Sequence, residues 1–350
     1  MNTFLSWMSE NTATTWWHDS ARPGEIADSI REGALGVTTN PVLTYKTLQE
    51  DYDFWKQRIS KVPPDLIGSQ RAEALLEIVA VYAAGCFTEV YERTEGQHGY
   101  ALGQVNPEYA GDSAAMTAQG CRYAKWAPNI AVKLPTTQAA LRSIEDLAAR
   151  GVALCTTLNF SVSQAIAAAE AYERGAKLAR KNNVSVKPCF VVQQGGRLDD
   201  YLSEYVRDCG MDIPEEVVRQ AGNAVTKRTY DIFRECRYTA RLMPAGLRTV
   251  DNLTRFVGAD MVFSLQTRVQ RMVNEADSLQ KERINEKTDS NVLEALTQIS
   301  EFRRVYEPTG LRPSEFIIFG LTQRTLSQFL WTGWSPLETF GVNAISNRWF

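Results

Sequence analysis

The 350-residue sequence predicts a closed parallel (β/α)8 barrel with a C-terminal helical extension. Two observations carry that expectation. Eight short apolar runs alternate with longer helical patterns, as in a parallel sheet whose crossovers are helices, and eight strands suit a closed barrel. An open doubly wound sheet would normally show a glycine-rich first turn, yet the chain has neither GxGxxG nor GxxxxGK[ST], and QGGR at 194–197 is too short to stand in for them.

In chain order the strand runs are TTWWHD (14–19), LGVTTN (35–40), YALGQV (100–105) and NIAVKL (129–134). GVALCTTL (151–158), VSVKPCFVV (184–192), ARLMPA (240–245) and DMVFSL (260–265) follow. Between them lie helical patterns such as 143–151, 161–181 and 215–233, the first stopping at Gly151 as a C-cap before the next strand begins. The barrel is expected over about 14–270. The region 271–350 reads as helical, with FIIFGL (316–321) as one further strand candidate. No Pro-, Gly- or Ser-rich linker and no internal repeat divides the chain, so one domain over 1–350 is the expectation.

Composition narrows the function. An apolar content of 44% supports a sizeable core, and 23% charged residues are ordinary for a globular protein. A net charge of −3 argues against a general nucleic-acid or anionic-membrane binder, though not against a local cationic pocket. No window approaches the roughly 18 unbroken apolar residues of a membrane span. The first fifteen residues lack a basic start and apolar core, so a cytoplasmic location is expected, with the six scattered cysteines reduced. Only His18 and His98 are present, and neither has a partner at ligand spacing, which disfavours zinc and Ser-His-Asp chemistry.

The most informative stretch is NIAVKLPTT (129–137), because a lysine inside a short apolar strand is costly to desolvate. Alternation puts Ala131 and Lys133 on one face and Ile130, Val132 and Leu134 on the other. In a barrel the aliphatic trio faces the helices and Lys133 points inward, near the C-terminal mouth where Pro135 ends the strand. Burial lowers the pKa of such an amine, and a neutral amine can attack a ketone to form an imine. An ion-paired lysine, or one reaching to solvent, would look the same in this stretch alone.

Other polar residues fall at strand ends. Asp19 ends the first run, Asn40 the second, and Gln104 and Thr157 lie near the ends of the third and fifth. An inward Asp19 could take a proton from a substrate hydroxyl, although HDSARPGE also reads as a loop or cap. Asn40 before Pro41 reads equally as a turn residue. Arg197 and Arg248 follow later strands, and either could fork onto a phosphate.

GVTTNPVL (36–43), VYERTEGQHGY (90–100), NIAVKLPTT and GVALCTTLNFSVSQAI (151–166) together resemble the transaldolases, in the same order and with similar spacing. GNAVTKRTYDIF (222–233) and AGLRTVDNL (245–253) extend the likeness weakly. The resemblance implies a (β/α)8 barrel with no metal or organic cofactor. It implies a Schiff base between Lys133 and the C2 carbonyl of a ketose phosphate, cleavage of C3–C4, and transfer of a dihydroxyacetone unit to an aldose phosphate. Asp19 would be the C4-hydroxyl base, Asn40 would hold substrate hydroxyls, Thr157 would position the catalytic water, and Arg248 would bind phosphate.

The sequence also departs from that family. Gln104 stands where transaldolases carry a glutamate, as it does in the related fructose-6-phosphate aldolases, which tilts the expectation toward aldol cleavage or addition. Against that, the tyrosine those aldolases place on strand six is absent, with Phe190 at the best-matching position; Cys155 replaces an asparagine of the transaldolases, and Gly246 replaces a serine. Arg197 takes the place of the usual arginine if QQGG is an insertion. The partners expected are a sugar or sugar phosphate, no nucleic acid and no membrane, with a homo-oligomer left open. A non-catalytic, repurposed barrel is the second class of reading. A metal-dependent isomerase or aldolase would want His and carboxylate clusters that the sequence does not show.

Overall fold

A computed structural model describes residues 3–276 and 278–342. Seven parallel strands form the sheet: β1 (Thr15–His18), β2 (Ala101–Gln104), β3 (Ile130–Pro135), β4 (Leu154–Asn159), β5 (Cys189–Gln193), β6 (Arg241–Pro244) and β7 (Val262–Leu265). β2 to β6 pair in sequence order, and β1 pairs with β7 from Thr15↔Val262 to His18↔Leu265. Isolated bridges supply the rest of the ring. Val37 bridges His18 on one side and Ala101 on the other, while Leu242↔Met261 and Ala245↔Ser264 join β6 to β7. The architecture is that of a (β/α)8 barrel.

The eighth position is where expectation and structure differ. Residues 35–40 form no regular strand and contribute one bridging residue, Val37. Their backbone still bonds both neighbours, with Leu35 N donating to Trp16 O and Val37 N donating to Tyr100 O, each at 2.9 Å. The segment is cut short because a helix, Pro41–Glu50, starts at once, capped by Asn40. At Gly36 a Cβ would meet the Trp17 indole at 2.6 Å, so only glycine lets the chain pass that close.

Strand alternation sorts the side chains as the sequence implies. Ile130, Val132 and Leu134 join the large core between sheet and helices, whereas Ala131 belongs to the barrel interior with Trp17, Tyr100, Leu102, Phe190 and Met243. Each fully buried Val, Leu or Ile side chain stabilises the fold by roughly 1.5–3 kcal/mol. Inside, Trp17 lies 4.4 Å from Phe190 and 6.3 Å from Tyr100, centroid to centroid. These rings fill the barrel, so the room for a ligand lies at the C-terminal ends of the strands.

The helices differ from the sequence reading in their bounds. Gln138–Ala149 starts earlier than expected, and the 215–233 pattern divides into Glu215–Val218 and Ala221–Glu235. FIIFGL is not a strand: it spans the end of one helix (Pro313–Phe316) and the start of another (Gly320–Phe329). A closed ring leaves no sheet edge for it to join. The C-terminal helices pack in a second cluster, where Phe302, Phe319 and Phe329 meet Leu158, Phe160, Leu198 and Leu202. Among the described residues, no helix is long and apolar enough to cross a membrane.

Candidate active site

Lys133 sits on β3 between Gln104 of β2 and Cys155 of β4, in register with both. Its side chain is buried, and its Nζ donates to the backbone carbonyl of Thr39 at 3.2 Å. Among the described residues it makes no ion pair, so it is neither salt-bridged nor reaching to solvent. Burial lowers its pKa and the nearby Arg197 charge adds to this, while Cys155 and Asp19 oppose them. Cys155 is itself a neutral thiol, since burial pushes its pKa up to about 12.

Lys133 opens onto a cavity of about 360 Å3 lined by Asp19, Thr38, Asn40, Gln194, Arg197, Arg248 and Ser264, among others. Asp19 follows β1, held by a bond from its backbone N to Leu265 O at 2.8 Å. Its carboxylate accepts a hydrogen bond from Thr38 Oγ1 at 2.8 Å, and that hydroxyl lies 2.7 Å from Ser264 Oγ. Asp19 does not cap the next helix, whose N-cap is Arg22. It is the only carboxylate lining the cavity among the described residues.

Asn40 is both a turn residue and a cavity residue. Its Oδ1 accepts from Leu43 N at 3.0 Å as the N-cap of Pro41–Glu50, and the same side chain lines the cavity. Gln104 and Thr157 lie elsewhere: they do not line the cavity but are buried on the strands flanking Lys133. Gln104 Oε1 and Thr157 Oγ1 have no hydrogen-bond partner among the described residues.

The two arginines reach the cavity from different elements. Arg197 lies in the first turn of the Gly195–Asp208 helix after β5, and Arg248 follows β6. Arg248 donates from Nε and Nη2 to Asp200 Oδ2 at 3.0 and 2.7 Å, and from Nη1 to Gly246 O at 2.7 Å. Arg197 donates from Nη1 to Gln328 Oε1 at 2.8 Å. Burial and the Arg248 charge both pull the Arg197 pKa below its ordinary value, against Asp19 and Asp200.

The structure therefore brings Lys133, Asp19, Asn40, Arg197 and Arg248 onto one cavity and sets Gln104 and Thr157 beside it. It adds residues that the sequence reading missed. Thr38 and Ser264 orient Asp19, and both are polar residues inside expected strands, which is a usable signal. Arg268, Gln328 and Phe329 also line the cavity. Nothing local in the sequence points to Gln328, which lies 131 positions from the arginine it bonds.

A family model described as transaldolase/fructose-6-phosphate aldolase matches residues 16–304. A transaldolase of Neisseria meningitidis serogroup C (strain 053442) is 29% identical over 192 residues, covering 53% of this chain and 55% of that protein. A transaldolase of Neisseria gonorrhoeae is 31% identical over 53% of this chain and 55% of its own. Transaldolase 2 of Streptomyces avermitilis is 24% identical over 69% of this chain and 67% of its own. The chain thus spans about half the length of the Neisseria relatives it matches. With the family match running through all seven strands, the chain belongs to the transaldolase/fructose-6-phosphate aldolase family.

Proposed function

We propose that this protein is a Schiff-base enzyme that cleaves the C3–C4 bond of a ketose phosphate and transfers the dihydroxyacetone unit to an aldose phosphate. The observation that carries the reading is a buried Lys133 that makes no ion pair among the described residues and faces the same cavity as Asp19, the only carboxylate lining it there.

The neutral Lys133 amine attacks the C2 carbonyl, and loss of water gives a protonated imine. Asp19 takes the proton of the C4 hydroxyl. The C3–C4 electron pair then moves toward the imine nitrogen, leaving an enamine on Lys133 and releasing an aldehyde. For transfer, the enamine C3 attacks the acceptor aldehyde, Asp19 returns its proton to the new alkoxide, and water hydrolyses the imine. Asn40 would hold substrate hydroxyls, Thr157 would position the water, and Arg197 and Arg248 would take the phosphate.

One observation favours a second reading, aldol cleavage or addition without transfer. The residue in register beside Lys133 is Gln104, and an amide can hold a water but cannot ionise near neutral pH. A transfer assay with fructose 6-phosphate and an aldose phosphate acceptor separates the two. Transfer product should form, and Asp19→Asn should lower turnover by about 10²-fold or more, the scale of one general base. Free glyceraldehyde 3-phosphate and dihydroxyacetone without transfer product would assign the aldolase reading instead.

A further inference from the structure

Arg197 and Arg248 stand side by side at the cavity but are held differently. Arg248 is compensated, with Asp200 accepting two of its hydrogen bonds at 2.7 and 3.0 Å. Arg197 makes no ion pair among the described residues, and the side chain that holds it is the neutral amide of Gln328. That amide comes from the Gly320–Phe329 helix, beyond residue 304 where the family match ends.

The helix is fixed firmly enough to aim a side chain. Leu321, Thr322, Thr325 and Phe329 form its buried face, and Phe329 lies in the cluster that also holds Leu198 and Leu202 of the Arg197 helix. Phe319 packs on Tyr201 at 5.6 Å between centroids, and Arg324 pairs with Glu204 at 2.6 Å. Beyond its C-terminal end, Gly333 in the Leu330–Trp334 turn lies so close to the segment after Asn40 that a Cβ would sit 2.6 Å from Val42 N. The helix is thus pinned directly to the element carrying Arg197, and the turn that follows it packs on the one that Asn40 caps.

We propose that Gln328 is a specificity-determining positioning residue: it holds Arg197 toward the cavity with a neutral partner, leaving the guanidinium charge free for the anionic group of the substrate. A carboxylate at the same place would satisfy Arg197 internally, as Asp200 satisfies Arg248, and compete with an incoming phosphate. The inference rests on the proposed sugar-phosphate reading for its substrate, but its anion site can be measured without turnover.

The test compares wild type, Gln328→Met and Gln328→Glu in the full chain, by calorimetric titration with inorganic phosphate and by kcat/KM for fructose 6-phosphate against fructose. Phosphate affinity should fall about threefold in Gln328→Met and at least tenfold in Gln328→Glu. The preference for the phosphorylated ketose should fall in the same order. Phosphate affinity in Gln328→Glu within twofold of wild type, equal losses on both ketoses, or no phosphate binding by wild type would each overturn the inference. If phosphate binds as expected but no ketose is trapped on Lys133, the enzymatic reading fails and this inference stands.

Discussion

Lys133 is a residue whose burial has consequences for both stability and chemistry. Its pKa is lowered in the folded state, so between the folded value and the ordinary lysine value the unfolded chain binds more protons than the native one. Stability therefore rises with pH across that window, and the cost of burying the amine is fully present below it. Lys133→Met, similar in size and uncharged, should be more stable than wild type at pH 7 by about 1–2 °C in Tm, the scale of 1 kcal/mol in a chain of this size. The advantage should shrink as the pH approaches 10.5, the unperturbed lysine value. Thermal melts of both proteins at pH 7 and pH 10 check this, and a variant less stable than wild type at pH 7 would contradict it. The lysine was legible because one polar residue interrupts an apolar strand. Its lack of an ion-pair partner among the described residues was not, because that depends on what neighbouring strands place beside it.

At the scale of elements, a short segment can serve both fold and site. Asn40 caps Pro41–Glu50 and also lines the cavity. Asn40→Ala should cost about 1 kcal/mol of stability, whereas Asn40→Asp should keep the cap. Both should weaken ketose binding, since alanine removes the amide and aspartate replaces a donor with a charge. Denaturant melts and KM measured on the same preparations separate the roles, and full activity in both variants would remove Asn40 from the site.

The pairing of β2 with β3 gives another such prediction. Gln104→Glu beside Lys133 should speed imine formation and raise transfer relative to free cleavage, because a carboxylate can relay protons where an amide cannot. Pre-steady-state trapping rates and product ratios read this out, and no change in either would take Gln104 out of the proton relay. The strands were legible from their apolar runs, 35–40 among them, but the shrinking of that segment to one bridging residue was not, because its regular pairing is cut short by Gly36 and by the helix that starts at Pro41. Arg197 could be placed only by allowing an insertion, since the strand and helix around it share no residue pattern that fixes where the loop ends.

Across the whole molecule, a closed ring collects side chains from β3, β7 and the loops after β1, β5 and β6 onto one cavity, and a helix from the C-terminal extension adds to its rim. Barrel closure was readable because strands and helices alternate along the chain. The contribution of the extension was not, because Gln328 and Arg197 meet only through packing between distant helices. The proposed chemistry depends on this assembly making Lys133 a nucleophile. Borohydride reduction in the presence of fructose 6-phosphate, followed by peptide mass spectrometry, tests it most directly. The account predicts added mass from a reduced ketose or dihydroxyacetone adduct on the peptide containing Lys133, and its loss in Lys133→Met. A label on another lysine, or none with fructose 6-phosphate or dihydroxyacetone, would contradict it.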